Sequence, residues 1–175
     1  MKRVLAFAPL ILLALLVVVG VVMLTRGGGE RELFTTGDER RAAPTYALTR
    51  LDGGALLTSD EMAGRAYVIN MFASWCTPCR AEHPQLMALR ARGVEIVGVA
   101  YKDQPDASAR FLQELGDPFR VVALDPDGRF GIELGIAGVP ETFVIGPDGT
   151  IRAAYRGPLT EDVVESTIMP ALEAR

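Results

Sequence analysis

The sequence has few of the residues that bind metals or form covalent cross-links. Its 175 residues include two cysteines, Cys76 and Cys79, and one histidine, His83. A structural zinc site takes four ligands, so it would need two Cys or His ligands beyond the cysteine pair, and His83 can supply one. The two cysteines therefore either form one structural disulfide or carry chemistry of their own.

The chain also has no excess of positive charge. It carries 18 Lys and Arg residues against 22 Asp and Glu residues, a formal net charge of −4. Three of the basic residues (Lys2, Arg3 and Arg26) flank an apolar run at the N-terminus, so the remainder is more acidic still. Such a surface argues against binding to nucleic acids and against docking on anionic lipid. Internal repeats and low-complexity blocks are absent as well, and the length suits one domain with accessory segments.

The N-terminal apolar run predicts a membrane anchor. Residues 4–24 are uncharged and mostly apolar, and at about 1.5 Å per residue they would span a hydrocarbon core of about 30 Å. The run is longer than an ordinary signal-peptide core and no Ala-x-Ala-like site follows it, although a cleaved signal remains the alternative. We predict an uncleaved signal-anchor over residues 1–26, a flexible linker over 27–43 and a folded domain over 44–175. The positive charges before the run place that domain outside the cytoplasm.

The pattern Cys76-Thr77-Pro78-Cys79 predicts a redox-active dithiol. It stands where an apolar run ends and a helix-compatible segment begins, and residues three apart in a first helical turn face the same way. A disulfide here encloses two residues and constrains little of the unfolded chain, so it would be a poor structural cross-link. The N–H groups at a helix N-terminus favour the thiolate of Cys76, which we predict to be the nucleophile, with Cys79 as the resolving cysteine.

The order of elements predicts an α/β fold. Buried strands alternate with helices, which places helices on both faces of a sheet, and the dithiol lies at the carboxyl end of the first central strand. An N-terminal hairpin with a turn at residues 52–54 precedes this unit. The predicted strands are 66–72, 95–101, 120–124, 141–145 and 151–155, and the predicted helices are 77–90, 107–115, 129–134 and one capped by Thr160.

Two motifs together resemble the thioredoxin superfamily. Trp75-Cys76-Thr77-Pro78-Cys79 follows a predicted strand, and Gly138-Val139-Pro140-Glu141-Thr142 precedes a later one. More narrowly, residues 70–84 resemble the membrane-anchored thiol:disulfide interchange proteins of cytochrome c biogenesis, the CcmG/DsbE type. The resemblance implies a thioredoxin-like fold, with a mixed central sheet flanked by helices, an N-terminal hairpin extension and one N-terminal transmembrane helix.

The resemblance also implies roles for residues around the dithiol. Pro140 matches the cis-proline that faces the dithiol in that fold, and it would bring the Val139 backbone beside the sulfurs, where a substrate chain could pair with it. On its own chemistry, Trp75 beside the nucleophile suits a flat apolar rim for partner docking better than a cofactor platform, with plain core packing as the alternative.

Two acids stand at positions that are characteristic of the CcmG type. Glu82 lies one helical turn after Cys79, and Glu141 follows Pro140, whereas Asn70 takes the place of the buried aspartate of cytoplasmic thioredoxins. A buried carboxylate near the dithiol can take the proton of the resolving thiol or disfavour its thiolate. We therefore predict that Glu82 first, and Glu141 second, tune the redox-active Cys76–Cys79 disulfide. The alternative is that both acids are solvated ends of a helix and a strand.

The implied function is that of a reductant. The resemblance implies a single-pass protein of the bacterial inner membrane whose periplasmic domain reduces the haem-binding cysteines of apocytochrome c, or their thiol carrier. A membrane thiol donor of the DsbD/CcdA type would restore the dithiol, and neither a cofactor nor a metal is expected. A general reductase of the TlpA/ResA type with other clients is one alternative. The other is a Cu(I) metallochaperone that uses Cys76, Cys79 and His83.

Overall fold

A computed structural model of the chain describes residues 15–19, 21–22 and 41–174. The chain divides into two compact units, Met1–Arg31 and Glu32–Arg175. In the first unit the described residues are helical. No helix built from the described residues combines the length and the apolar character needed to cross a membrane. The predicted anchor and linker lie largely outside the described ranges, so both stay predictions.

The second unit contains seven strands and four helices within the described residues. A 3₁₀ turn at Ser59–Met62 follows the second strand. The strands are β1 (Ala47–Leu48), β2 (Leu57–Thr58), β3 (Tyr67–Phe72), β4 (Ile96–Tyr101), β5 (Val121–Asp125), β6 (Glu141–Ile145) and β7 (Ile151–Arg156). The helices are α1 (Thr77–Ala91), α2 (Pro105–Leu115), α3 (Arg129–Leu134) and α4, which joins Glu161–Val163, the π-helical Val164–Ile168 and Met169–Glu173.

The central sheet is mixed, which confirms the predicted class. Its strand order is β5-β4-β3-β6-β7, and β3, β4 and β5 run parallel while β6 and β7 are antiparallel to their neighbours. The carboxyl ends of the three parallel strands and the amino end of β6 therefore meet at one edge of the sheet. That edge carries the loops 73–76, 102–104 and 135–140.

The sheet separates two apolar clusters. All six residues of β3 are buried, and successive side chains point to opposite faces. Phe72 belongs to the cluster that contains Leu86 of α1 and Ile168 of α4. Met71 belongs to the cluster that contains Phe130 of α3 and the residues of the N-terminal hairpin. β3 is the strand that leads into the dithiol, so both clusters fix its position.

The N-terminal hairpin is present but pairs differently from the prediction. The two strands pair only through Ala47–Leu48 and Leu57–Thr58, so the connection is much longer than the predicted turn at 52–54. The chain after β1 instead runs along β5, where Leu51 N donates to Val122 O at 2.9 Å and Leu124 N donates to Thr49 O at 2.8 Å. An edge strand leaves backbone groups unpaired, and this segment pairs part of them.

The last helix also departs from the predicted regular form. A π-helical turn, Val164–Ile168, interrupts α4 two residues before Pro170. Proline has no N–H and its ring collides with the preceding turn of a regular α-helix. A wider turn at that point lets the helix continue past the proline. In α1, by contrast, the helix runs through Pro84 as far as Ala91.

Candidate active site

The two cysteines lie at the N-terminus of α1, where the spacing placed them. They form a disulfide whose Cα atoms are 5.3 Å apart. Cys76 is the N-cap residue of α1, and Cys79 N donates to Cys76 Sγ at 3.1 Å. Both residues are buried, Cys76 4% and Cys79 1% exposed. The Sγ atom of Cys76 therefore already receives one of the N–H groups that would stabilise its thiolate after reduction.

Pro140 follows Val139 through a cis peptide bond, as the resemblance implies. β3 and β6 pair so that Met71 stands opposite Glu141. Continuing this antiparallel register by one residue puts Pro140 beside Phe72, where the loop to Cys76 begins. The carbonyl of Pro140 accepts a hydrogen bond from Gly157 N at 2.9 Å. The docking roles of Val139 and Pro140 stay predictions. They are supported by the position of Pro140 at the same end of the sheet as the loop to Cys76.

Trp75 is on the surface beside the nucleophile. Its side chain is 60% exposed, so the alternative of plain core packing is wrong. Its indole Nε1 donates to Lys102 O at 3.3 Å, which ties the ring to the loop that follows β4. An exposed flat ring next to Cys76 suits the docking role, which itself remains a prediction.

Glu82 is fully buried on α1, one turn after Cys79. Its side chain is 0% exposed. Oε1 accepts from Asn70 Nδ2 at 2.9 Å, and Oε2 accepts from Leu159 N at 2.8 Å. Burial raises the pKa of Glu82 to about 7, although the hydrogen bonds from Leu159 and Asn70 act in the opposite direction. The alternative of a solvated helix end is wrong for this residue, and Glu82 can hold or release a proton near neutral pH.

Asn70 links Glu82 to the neighbouring strand. Its Nδ2 donates both to Glu82 Oε1 and, at 3.1 Å, to Thr142 Oγ1. The network thus joins β3, α1, β6 and, through Leu159, the loop after β7. Sequence reasoning found Asn70 and Glu82 but missed Leu159, whose contribution is a backbone N–H that no side-chain pattern signals.

Glu141 is buried too, but its partners differ. It is 3% exposed, so it is not a solvated strand end either. Oε1 accepts from Ala137 N at 2.6 Å and Gly138 N at 3.2 Å, and Arg156 Nε lies 3.6 Å from the same oxygen. The carboxylate therefore holds the loop that leads to Pro140. Its predicted part in redox tuning stays a prediction.

His83 makes its contacts inside the domain. Its ring is buried, Nε2 bonds to Gly116 O at 2.9 Å, and the ring meets Phe111 edge-on. Burial lowers the pKa of His83, so the neutral form is favoured. In the described part of the chain, no group of three or more His, Cys, Asp or Glu side chains is arranged to hold a metal ion. The copper alternative therefore lacks its third ligand.

Asp103 is a residue of the site that sequence reasoning missed. It follows β4 at the edge that carries the dithiol, and it is 7% exposed. It accepts hydrogen bonds from both the backbone N and the Oγ of Ser74. An acid at the carboxyl end of a strand adjacent to the dithiol strand was the available signal, since those ends meet in space.

Comparisons with known proteins agree with this geometry. The Redoxin family matches residues 36–169. The chain is 39% identical over 173 residues to the thiol:disulfide interchange protein HelX of Rhodobacter capsulatus, which covers 98% of this chain and 97% of that protein. It is 38% identical over 135 residues to the thiol:disulfide interchange protein DsbE of Escherichia coli, covering 76% and 73%. A crystal structure described as a thiol:disulfide interchange protein DsbE from Chlorobium tepidum superposes with a TM-score of 0.66 at 29% identity, covering 77% of this chain and 98% of that one.

Proposed function

Because the chain belongs to the Redoxin family and is a thiol:disulfide oxidoreductase with a Cys76–Cys79 redox pair, we propose that it works as a reductant. Its client is apocytochrome c, whose haem-binding cysteines it keeps reduced during cytochrome c maturation, or the thiol carrier that serves them. The observation that carries the reducing direction is Glu82, a buried carboxyl one helical turn from Cys79.

The electrostatics of Glu82 favour the disulfide over the dithiol. When this carboxyl is ionised, it repels a thiolate forming nearby, so the reduced state loses stability. A pair whose reduced state is less stable gives its electrons away more readily, which is the property of a reductant. The same carboxyl, with a pKa raised to about 7, can accept a proton when the resolving thiol is deprotonated.

The cycle balances as two thiol–disulfide exchanges. The thiolate of reduced Cys76 attacks one sulfur of the client disulfide, a mixed disulfide forms, and the client's other sulfur leaves as a thiolate. Cys79 then loses its proton and attacks Cys76 Sγ, which releases the second client thiolate. The client gains two electrons and two protons, and the Cys76–Cys79 disulfide described here is the product. A membrane thiol donor of the DsbD/CcdA type returns both electrons.

The protein works at the periplasmic face of the bacterial inner membrane in this proposal. The apolar run at 4–24, with basic residues before it, supports a single-pass anchor with the folded domain outside the cytoplasm. A reversible dithiol in that oxidising compartment needs a dedicated electron source, which the membrane donor supplies.

A trapping experiment tests the client. In Cys79→Ser the second exchange is blocked, so the mixed disulfide between Cys76 and its client accumulates. We expect non-reducing gels of tagged Cys79→Ser from cytochrome c-producing cells to show a linked species that contains apocytochrome c or a thiol carrier. Cys76→Ser, which lacks the nucleophile, is the control and should trap nothing.

The identity of the trapped protein distinguishes the alternatives. Clients unrelated to cytochrome c, such as copper-site assembly proteins, would replace the proposal with a general reductase of the TlpA/ResA type. If Cys79→Ser forms no disulfide-linked partner, the proposed mechanism is wrong.

A further inference from the structure

Asp103 is a buried acid that receives four hydrogen bonds. Oδ1 accepts from Ser74 Oγ at 2.8 Å and from Gln104 N at 2.9 Å. Oδ2 accepts from Ser74 N and Ser108 Oγ, both at 2.7 Å. Each oxygen therefore uses two acceptor sites, the number that an ionised carboxylate offers. Two of the four bonds end on Ser74, two residues before the nucleophile.

The loop 73–76 connects β3 to α1 and determines where Cys76 lies. Cys76 N donates to Ala73 O at 3.2 Å, which closes a tight turn. The loop after β4 holds this turn from the side, since Lys102 O accepts from the Trp75 indole and Asp103 accepts twice from Ser74. On the other side of the carboxylate, Ser108 and Gln104 fix Asp103 to the start of α2.

We infer that Asp103 is a positioning residue for the redox reaction. By holding Ser74 through its N–H and its hydroxyl, it keeps Cys76 Sγ at the N-cap of α1, where the Cys79 N–H reaches it. After reduction, this contact stabilises the Cys76 thiolate. The inference rests on the oxidoreductase activity alone and is independent of the client and of the direction of electron flow.

Asp103→Asn tests this role with little change of size. If the amide nitrogen takes the place of Oδ2, Ser74 N loses its acceptor, and if it takes the place of Oδ1, Gln104 N loses its acceptor. The loop is then held less firmly, so the reduced state loses thiolate stabilisation. We expect the equilibrium between the full chain in detergent and a glutathione redox buffer to shift at least fivefold toward the Cys76–Cys79 disulfide.

Asp125→Asn is the matched control. Asp125 is also buried, ends the neighbouring strand β5, and accepts from Phe130 N at 3.2 Å and Gly131 N at 2.9 Å at the start of α3. We expect the glutathione redox equilibrium of Asp125→Asn to stay within twofold of the wild-type value. An Asp125→Asn shift as large as that of Asp103→Asn would overturn the inference, since general loosening of the domain would then explain both.

Two further outcomes decide against the inference. An unchanged equilibrium in Asp103→Asn contradicts positioning. A shift toward the dithiol contradicts it as well, because the loss of repulsion between the Asp103 carboxylate and the thiolate would then be the larger effect.

If Asp103→Asn does not fold, two serine-to-alanine variants, which change no charge, replace it. Ser74→Ala and Ser108→Ala each delete one hydroxyl bond to Asp103. We expect Ser74→Ala, which acts on the loop 73–76 directly, to shift the equilibrium at least twofold and further than Ser108→Ala does. Equal redox equilibria in Ser74→Ala and Ser108→Ala would overturn the inference.

Discussion

At the scale of single residues, the buried acids Glu82 and Asp103 have different functions near the dithiol. Glu82 is held by one side-chain amide and one backbone N–H, which is too few donors to keep its pKa low against the cost of burial. Asp103 is held by four donors. Glu82 can therefore titrate near neutral pH, and Asp103 anchors the loop that leads to Cys76.

The first residue-scale prediction concerns the redox equilibrium. In Glu82→Gln the repulsion between the carboxylate and a forming thiolate is lost, so the reduced state gains roughly 1.4 kcal/mol, which corresponds to a tenfold shift. We expect the glutathione equilibrium to move about tenfold toward the dithiol at pH 8. At pH 5.5, where the Glu82 carboxyl is largely protonated, the difference between variant and wild type should shrink.

The controls use other acids of the domain. Glu133→Gln removes an exposed carboxylate of α3 and should leave the equilibrium unchanged. Glu141→Gln tests the second predicted tuning residue in the same assay. If both Glu82→Gln and Glu141→Gln keep the wild-type equilibrium at pH 8, the tuning prediction is wrong for this dithiol.

The second residue-scale prediction concerns stability against pH. Because the pKa of Glu82 rises from 4.5 to about 7 on folding, the folded state binds more protons than the unfolded state between these values. The contribution of Glu82 to stability is therefore fully present below pH 4.5 and is lost as pH rises through 7, by up to about 3 kcal/mol. His83, whose pKa is lowered, acts in the opposite direction below pH 6.5. Urea unfolding of the oxidised wild type and Glu82→Gln separates the two effects.

The comparison with Glu82→Gln isolates the carboxyl, since His83 is the same in both proteins. The stability of the wild type minus that of the variant should fall between pH 4.5 and 7.5. A difference that is constant over this range would show that Glu82 keeps an ordinary pKa in the folded protein.

The redox pair and its acids were accessible from local patterns, but the network that holds them was not. Cys76, Cys79, Glu82 and Pro140 stand in motifs that can be identified within a few residues of sequence. The hydrogen bond from Ser74 to Asp103 spans 29 positions, and the hydrogen bond from Leu159 to Glu82 spans 77. Such contacts depend on which strand ends meet, and that becomes visible only once the sheet order is known.

At the scale of elements, the buried strands and their helices can be predicted from hydrophobic runs in the sequence. The backbone pairing along the edge strand β5 cannot. β3, apart from Asn70, and β4 are continuous apolar segments whose type the sequence pattern predicts. The residues 49–51 were predicted as part of a hairpin strand, yet they pair with β5. Edge pairing is decided by which backbone groups remain free after the sheet forms, and local pattern carries no information about that.

The start of β7 gives an element-scale prediction. Ile151 N donates to Arg41 O, and Ala43 N donates to Gly149 O, both at 2.9 Å, and the Arg41 guanidinium donates to Leu134 O. A variant that begins at residue 44, the predicted domain boundary, loses all three bonds. We expect it to unfold in urea with about 2 kcal/mol less stability than a variant that begins at residue 41. Equal stabilities would show that the segment 41–43 contributes nothing and that the domain begins at Pro44.

At the scale of the whole molecule, the length of the predicted linker and the net charge affect how the domain encounters its partners. The net charge is −4, which gives no attraction to anionic membrane lipid, so surface adsorption would not keep the domain near membrane-bound partners. The predicted anchor and linker would do so covalently. If residues 27–40 behave as a flexible chain, their root-mean-square span is about 19–22 Å, enough for the domain to turn its dithiol toward a donor and a client in alternation.

The anchor should therefore matter for the rate of encounter and not for the chemistry. Replacing residues 1–26 with a cleavable signal peptide should leave the reduction of a protein disulfide by purified protein unchanged. In cells, at matched low expression, the yield of haem-stained cytochrome c should fall several-fold, because tethering confers an effective concentration in the millimolar range for a short flexible linker. Overexpression of the soluble form should restore the yield, since bulk concentration then replaces tethering.

Two outcomes would contradict this prediction. An unchanged yield at low expression would show that encounter with membrane partners does not limit the pathway. Extraction of the wild-type chain from membranes by carbonate washing would contradict the anchor itself.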